Sequence, residues 1–405
     1  MKKFVKIQEL TPRAEERVLT HALHADLAKL SYFSSTARLE RSPLYKVLAP
    51  EILKITSGCE LGSFADPVHD QGKSPHHRAI LWDLDHGKNF AGICEALRNR
   101  SFLSFADVYI FPGVDIGLSR SHNINVVRSL AIELGYNYVF AATHLHLNTE
   151  SGEPNTLGIE GNAVMTRFPI IQSRVISVPN ARDPLKSPSK RLGCEKALLA
   201  DVDMNGDLVT LVCLNTPQAS TSWARASAVR WVMERLREGG EKPILMGANL
   251  STHCYITTGA LGFFFSVFNK VFRGFDYIRE EHHRHPEKYF ERGLFNEMTR
   301  QGFAYRPYNE LGVGTQHGRP LDLLAQHFDK KLGYKLAQKI LRRKCVEESF
   351  KTSWFVANEQ ISASQSSGAE RPRVIQNLFH NGAPLSCHDP VLLDFEVKRD
   401  LPETV

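Results

Sequence analysis

The sequence predicts an α/β (α+β) chain whose strands stack as a β-sandwich, in two layers or four, flanked by helices. Three observations carry this. From residue 79 onward, short apolar runs bounded by glycine, proline or asparagine alternate with helical stretches. Six or more of those runs are β-rich, which is enough for a sandwich. The chain has 405 residues, so it can bury a full core without disulfides or structural metals.

Residues 1–78 read as a mostly helical N-terminal extension, with helical spacing over 14–30 and a polar, histidine-containing stretch after it. Strands are expected at 79–84 and 107–111. A helix is expected over 125–134, stopped by Gly135. Further strands fall at 162–165, 197–203, 208–214 and 243–246, and a last one at 391–397. The main domain therefore spans 79–398, with an aromatic insertion at 253–300, a polar loop at 345–375 and a tail at 399–405. The Ser-rich stretch 360–368 reads as a flexible part of that loop. Within the insertion, 256–272 carries Phe263, Phe264, Phe265, Phe268 and Phe272. It reads first as a core helix. The sharper alternative is a helix lying on a membrane surface or a protein partner, with Lys270 and Arg273 at its flank.

Hydrophobic residues make up 42% and charged residues 23%, which sets aside disordered and fibrous classes. The 50 basic and 44 acidic residues leave a net charge of +6, dispersed apart from short runs such as Lys330-Lys331 and Arg342-Arg343-Lys344. That surplus permits a phosphate-containing ligand or nucleic acid and demands neither. Cys59, Cys94, Cys194, Cys213, Cys254, Cys345 and Cys387 include no CxxC pair and are odd in number, which points to a reducing, cytoplasmic compartment. No apolar run follows Met1-Lys2-Lys3, so no secretory signal is expected. No stretch approaches the roughly 18–20 apolar residues of a membrane span.

Five segments between 79 and 398 follow one another in a telling order. Trp82-Asp83-Leu84-Asp85 opens the series. Asp107 leads through Val114-Asp115, Arg120, Asn123 and Asn125 to Leu134-Gly135. Then comes Gly161-Asn162-Ala163-Val164-Met165-Thr166-Arg167-Phe168-Pro169-Ile170. Arg191-Leu192-Gly193 and Lys196-Ala197 precede the strand through Thr216 and the run Pro243-Ile244-Leu245-Met246-Gly247. Leu321-Asp322 and Ser386-Cys387-His388-Asp389-Pro390 close the series. Together they resemble the endonuclease/exonuclease/phosphatase superfamily, whose deoxyribonuclease-I-like fold is the sandwich expected above. The resemblance implies a Mg²⁺- or Mn²⁺-dependent hydrolase of phosphate esters, in which a divalent ion neutralises phosphate charge and a histidine-aspartate arrangement activates water.

Checked position by position, the resemblance also implies loss. The metal-binding glutamate is matched by Gly113. The glycine-aspartate-x-asparagine motif is matched by Gly247-Ala248-Asn249-Leu250, with Ala248 at the aspartate and Leu250 at the asparagine. Asn249 stands one residue off, where strand alternation turns a side chain to the opposite face. Cys387 replaces the aspartate beside His388, and Leu214-Asn215-Thr216-Pro217 carries no imidazole where one is expected, Pro217 included. His388 and Asp322 keep catalytic positions. Asn162, Arg120 and Asn249 are candidates for substrate binding. Asp85, Asp83 and Asp115 are candidate metal ligands, either rebuilding a Mg²⁺ or Mn²⁺ site or capping turns and pairing with Arg120.

His144 and His146 lie two apart, as Zn²⁺ ligands on a strand would, but read better as surface or partly buried residues. His282, His283 and His285 sit among charges and read as solvent-facing. Cys387 and His388 are strand neighbours that point apart, which argues against a thiol nucleophile. The leading expectation is a binding module that has lost or strongly reduced its metal-dependent phosphoesterase activity. The alternatives are an active hydrolase with altered ligands and a docking module using 256–272.

Overall fold

The computed structural model describes residues 5–9, 16–66, 75–104, 106–149, 152–217, 220–240, 242–252, 260–289, 291–318, 339 and 348–398. Two large sheets stack face to face. The first is built from β1 (Val5–Glu9), β7 (Ile170–Ser177), β9 (Lys196–Met204), β10 (Asp207–Asn215), β11 (Ile244–Asn249) and β14 (Ser353–Ala357), in that spatial order. The second runs β15 (Ile361–Ala363), β16 (Val391–Val397), β3 (His77–Leu81), β4 (Val108–Ile116), β6 (Ile159–Thr166), β5 (Asn137–His146) and β2 (Cys59–Ser63). β8 (Arg191–Gly193) adds to β5, and β12 (Gln316–Gly318) pairs with β13 (Glu348–Phe350) beside the sandwich. Pairing is antiparallel except at β10–β11 and β3–β4.

Side-chain alternation accounts for the layers. Along β9, Leu198, Ala200 and Val202 face the second sheet, whereas Ala197 and Leu199 face outward. Leu81, Val108, Ile110, Val139 and Val164 meet them from the second sheet and form the central core. The outward residues of the first sheet are covered by α6 (Ser222–Arg237) and α9 (Arg292–Arg300) through Val229, Met233, Phe295 and Met298. The outer face of the second sheet packs on α4 (Phe90–Asn99) and α5 (Val126–Leu134) through Ile93, Leu97, Val127 and Leu130. Four layers result, helix, sheet, sheet, helix, each apolar face buried on a neighbour.

The N-terminal residues share in this body. α1 (Leu27–Ser31), α2 (Thr36–Glu40) and α3 (Pro43–Thr56) send Leu27, Leu30, Leu39, Ile52 and Ile55 into the same core as α4 and α5. β2 lengthens the second sheet, and Lys196 Nζ donates to the carbonyls of Thr56 and Ala142, joining α3, β5 and β9.

Part of the polar stretch expected as a loop at 345–375 is instead structural. Ser353–Ala357 pairs antiparallel with β11, and Trp354, Phe355 and Val356 are fully buried. Within the Ser-rich part, Ile361–Ala363 pairs with β16. Both strands are short, and the apolar residues of Ser353–Ala357 face both layers, so no alternation marks it. The 256–272 run is also divided. Residues 253–259 lie outside the described residues. α7 (Ala260–Arg273) buries Phe263 and Val267 and exposes Leu261, Phe265, Phe268 and Phe272.

Four histidines expected to be solvent-facing or only partly buried lie inside. His144 and His146 are each 2% exposed, because β8 pairs over that end of β5. His282 and His283, on α8 (Phe275–Arg284), are also 2% exposed, in helical turns that face inward despite charged neighbours in sequence.

Candidate functional site

Strands of both sheets end at a common cleft. β3 delivers Trp82 and Asp83, β4 delivers Gly113, β10 ends at Asn215, β11 ends at Asn249, and His388 lies just before β16. The Trp82 indole Nε1 donates to His388 O at 2.8 Å, Ser386 Oγ donates to Asp83 O at 2.8 Å, and His388 N donates to Ser386 Oγ at 3.0 Å. These bonds lock the closing segment to the opening strand.

Asp83 is the hub of the cleft. Its Oδ2 accepts from Asn249 Nδ2 at 2.8 Å and lies 3.6 Å from His388 Nε2, while its Oδ1 accepts from Asp85 N at 3.1 Å. His388 is buried, and its Nδ1 has no hydrogen-bond partner among the described residues.

The position of Asn249 differs from the expectation of an opposite face. Ala248 and Leu250 point into the outer layer under α6, and Asn249 points to Asp83. β11 pairs with β10 in uninterrupted register, so alternation brings Asn249, not Ala248, to the cleft. In Asn249 the cleft gains an amide where an aspartate would offer a carboxylate.

Gly113 occupies a β-bulge. Phe111 and Val114 both face the outer core of the second sheet although three residues apart, so the strand absorbs an extra residue between them. Gly113 does this with a φ of +71°, and a Cβ there would stand 3.0 Å from Asn215 Nδ2. Asn162 fixes the bulge from β6. Its Oδ1 accepts from Gly113 N at 3.1 Å and its Nδ2 donates to Lys196 O at 2.7 Å, so both ends of its amide are spent internally.

Burial pushes the Cys387 thiol up, and Asp85 and Asp83 push it the same way, so it stays protonated at neutral pH. Burial acts against ionisation of Asp85, but His86, Lys88 and His388 outweigh it and hold the carboxyl below its ordinary value. Lys88 Nζ donates to Asp85 at 2.9 Å. Thr216, before Pro217, donates its N–H to Asn249 O at 2.9 Å, and no imidazole stands there. Asp322 lies outside the described residues.

Beside the Gly113 bulge sits a charged cluster. Register places Asp115 opposite Glu160, Glu160 opposite His144, and His146 opposite Arg191. Arg120 enters between the carboxylates. Its Nε and Nη2 donate to Asp115 at 2.8 and 2.9 Å, and Nη2 also reaches Glu160 Oε2 at 3.1 Å. His86 Nδ1 lies 3.1 Å from Arg120 Nη2 and 3.0 Å from Gly113 O, and its tautomer decides which bond forms. His146 Nε2 donates to Glu160 Oε2 at 2.6 Å. Burial opposes ionisation of Glu160, yet His146, Arg120 and His86 hold its carboxyl well below the ordinary range.

Asp83, Asp85 and Asp115 thus go to separate partners: Asn249 with His388, Lys88, and Arg120. Arg120 is 9% exposed in its side chain and committed to carboxylates. The anionic oxygens that a Mg²⁺ or Mn²⁺ ion would need are missing at Gly113, Asn249 and Cys387, and both Asp83 oxygens are engaged, so the cleft does not fit the ion. Sequence reasoning missed His86 and Glu160, and it named Arg191 without placing it in this cluster. Their only signal is cross-strand register, which no single strand displays. A hollow of about 420 Å³ lined by Arg100, Phe102, Arg373 and Leu378, among others, shares no residue with this cleft.

No protein-family model and no curated protein matches the chain. Similar solved structures include an endonuclease/exonuclease/phosphatase from Beutenbergia cavernae, with 14% identity over 80% of this chain and 72% of that one, at a TM-score of 0.47. Another, from Bacteroides vulgatus, has 12% identity over 80% of this chain and all of that one, also at 0.47. The human Nocturnin catalytic domain with bound sulfate has 12% identity over 80% of this chain and 94% of that one, at 0.45.

Proposed function

We propose that this chain is an endonuclease/exonuclease/phosphatase-like module that has given up metal-dependent phosphoester hydrolysis and acts by binding. The five ordered sequence segments and the four-layer sandwich support the membership. One observation carries the loss: the cleft positions that should supply anionic oxygen hold a left-handed glycine, an amide and a protonated thiol, at Gly113, Asn249 and Cys387. A bare dication must be repaid for its hydration shell by carboxylates, and here Asp83 already serves Asn249 and His388. Loss of one group that stabilises a transition state costs about 10²–10³ in rate, so the combined loss leaves little turnover.

The test is hydrolysis of bis(p-nitrophenyl) phosphate with Mg²⁺ or Mn²⁺. The expected result is a rate equal to that of buffer, unchanged in His388→Ala. Metal-dependent turnover that disappears in His388→Ala refutes the reading and favours a hydrolase with altered ligands.

A second reading rests on α7. Leu261, Phe265, Phe268 and Phe272 are 71%, 62%, 53% and 82% exposed and follow one helical stripe. Phe264, Phe268 and Phe272 stack along it at 6.4 and 6.5 Å. The stripe offers on the order of 500 Å² of apolar surface, short of the roughly 800 Å² per partner of a stable protein interface. With Arg273 over the Tyr277 ring at its end, it suits a lipid membrane surface. No helix among the described residues is long and apolar enough to cross a membrane.

A further inference from the structure

His86, Asp115 and Glu160 are the one group among the described residues whose three ligand atoms all lie within 4.8 Å of one another. Nitrogen and oxygen donors at such spacing are what a first-row transition ion gathers, and His146, 2.6 Å from Glu160, holds that carboxylate in position from outside the group. The space between them already holds a cation. Arg120 bonds both carboxylates at 2.8 to 3.1 Å, and its Nη2 lies 3.1 Å from His86. Asp115 has no exposed side-chain surface and Glu160 only 7%, so neither carboxylate can turn to water for its neutralising charge.

We propose that His86, Asp115 and Glu160 form a latent Zn²⁺ site, with His146 orienting Glu160, that the chain keeps filled with the Arg120 guanidinium. The arginine supplies positive charge from within the chain, and its fork satisfies two carboxylates that face each other across β4 and β6. Removing it leaves Asp115 and Glu160 facing each other with only His86, His146 and the more distant Arg191, 3.8 Å from Glu160, around them, and vacates a space that an external dication can fill. Zn²⁺ suits the mixed donors, whereas Mg²⁺ prefers oxygen alone. The proposal stands apart from the loss of hydrolysis, because a chain that turned over phosphoesters could carry the same cluster.

The experiment is isothermal titration of the full chain with Zn²⁺, and separately with Mg²⁺, alongside thermal melts. Wild type and Arg120→Lys, which keeps a cation in place, should bind no stoichiometric Zn²⁺ at the cluster. Arg120→Ala should bind one Zn²⁺ at least about 100-fold more tightly than wild type, with no matching gain for Mg²⁺. Zn²⁺ should also raise its melting temperature, and Arg120→Ala combined with Asp115→Asn should lose both effects. If Arg120→Ala is unfolded alone and folds on adding Zn²⁺, the proposal is upheld. It is overturned if Arg120→Ala stays unfolded with Zn²⁺, if it folds and binds none, or if wild type binds Zn²⁺ equally tightly through Asp115.

Discussion

Lys351 offers a sharp test of how this fold treats a charge without a partner. It sits between β13 and β14, where its side chain is 1% exposed and its Nζ has no hydrogen-bond partner among the described residues. Its nearest aid is the Trp354 ring, 4.9 Å away. Burial pushes the amine from 10.5 down to about 7, with Glu310 acting weakly in the opposite sense. The unfolded chain therefore holds a proton between pH 7 and 10.5 that the folded chain releases, so stability rises with pH across that window. At about 1.4 kcal/mol for each pH unit, the contribution is bounded at roughly 5 kcal/mol. Below pH 7 the full cost is present. Lys351→Met keeps the linear shape and removes the amine, so it should stabilise the protein at pH 7. Urea unfolding of both proteins at pH 7 and pH 10 measures this, the difference between them cancelling other titrating groups. Wild type should gain several kcal/mol on the variant between the two pH values. Parallel behaviour would show that the amine is solvated or paired, and the argument from burial would fail.

Two further outcomes follow from the cleft and from α7. Gly113→Glu restores the carboxylate that the resemblance implies, but at a φ of +71° and with Asn215 Nδ2 3.0 Å from the new Cβ. It should lose about 1–2 kcal/mol in urea unfolding from the left-handed backbone alone and gain no Mn²⁺-dependent hydrolysis. Turnover in that variant would mean that the single carboxylate missing at Gly113 sets the limit, and that the amide at Asn249 and the thiol at Cys387 do not. Phe268→Glu with Phe272→Glu should abolish flotation with liposomes containing anionic lipid while leaving the melting temperature unchanged, because both side chains are already exposed. Equal flotation of wild type and variant would remove the membrane reading.

The sandwich was legible because its signals are local. Short apolar runs bounded by turn residues mark β9 and β10. Asn125, whose side chain accepts from Arg128 N, and Gly135, at a φ of +69°, bracket α5 as an N-cap and a left-handed stop should. What escaped depends on distance. β14 is apolar on both faces because it lies between two cores, so no alternation identifies it. Asn249 was placed by a motif alignment one residue away from the register that its strand adopts with β10. The Arg120 cluster joins residues from β4, β5 and β6 and from two loops. Asp115 was visible beside Arg120, but nothing local in the sequence sets Glu160 across from it.

On the reading proposed above, the cleft has given up its chemistry with most of its buried polar groups paired, His388 Nδ1 being an exception among the described residues. An abandoned metal site would leave carboxylates repelling one another and amides aimed at nothing, each costing about 1–3 kcal/mol. Here the groups close on themselves. Asn162 spans Gly113 N and Lys196 O, Asn249 gives its amide to Asp83 and takes Ser251 N at 3.1 Å, and Arg120 lies between Asp115 and Glu160. The carboxylate beside His388 is that of Asp83, just after β3, and the Cys387 thiol next in sequence is held neutral by burial. Each of these bonds rewards the folded state directly, with no ion required. A fold so closed depends on its own side chains for charge balance, which is why Arg120, and not an added dication, is the residue whose removal should expose the cost.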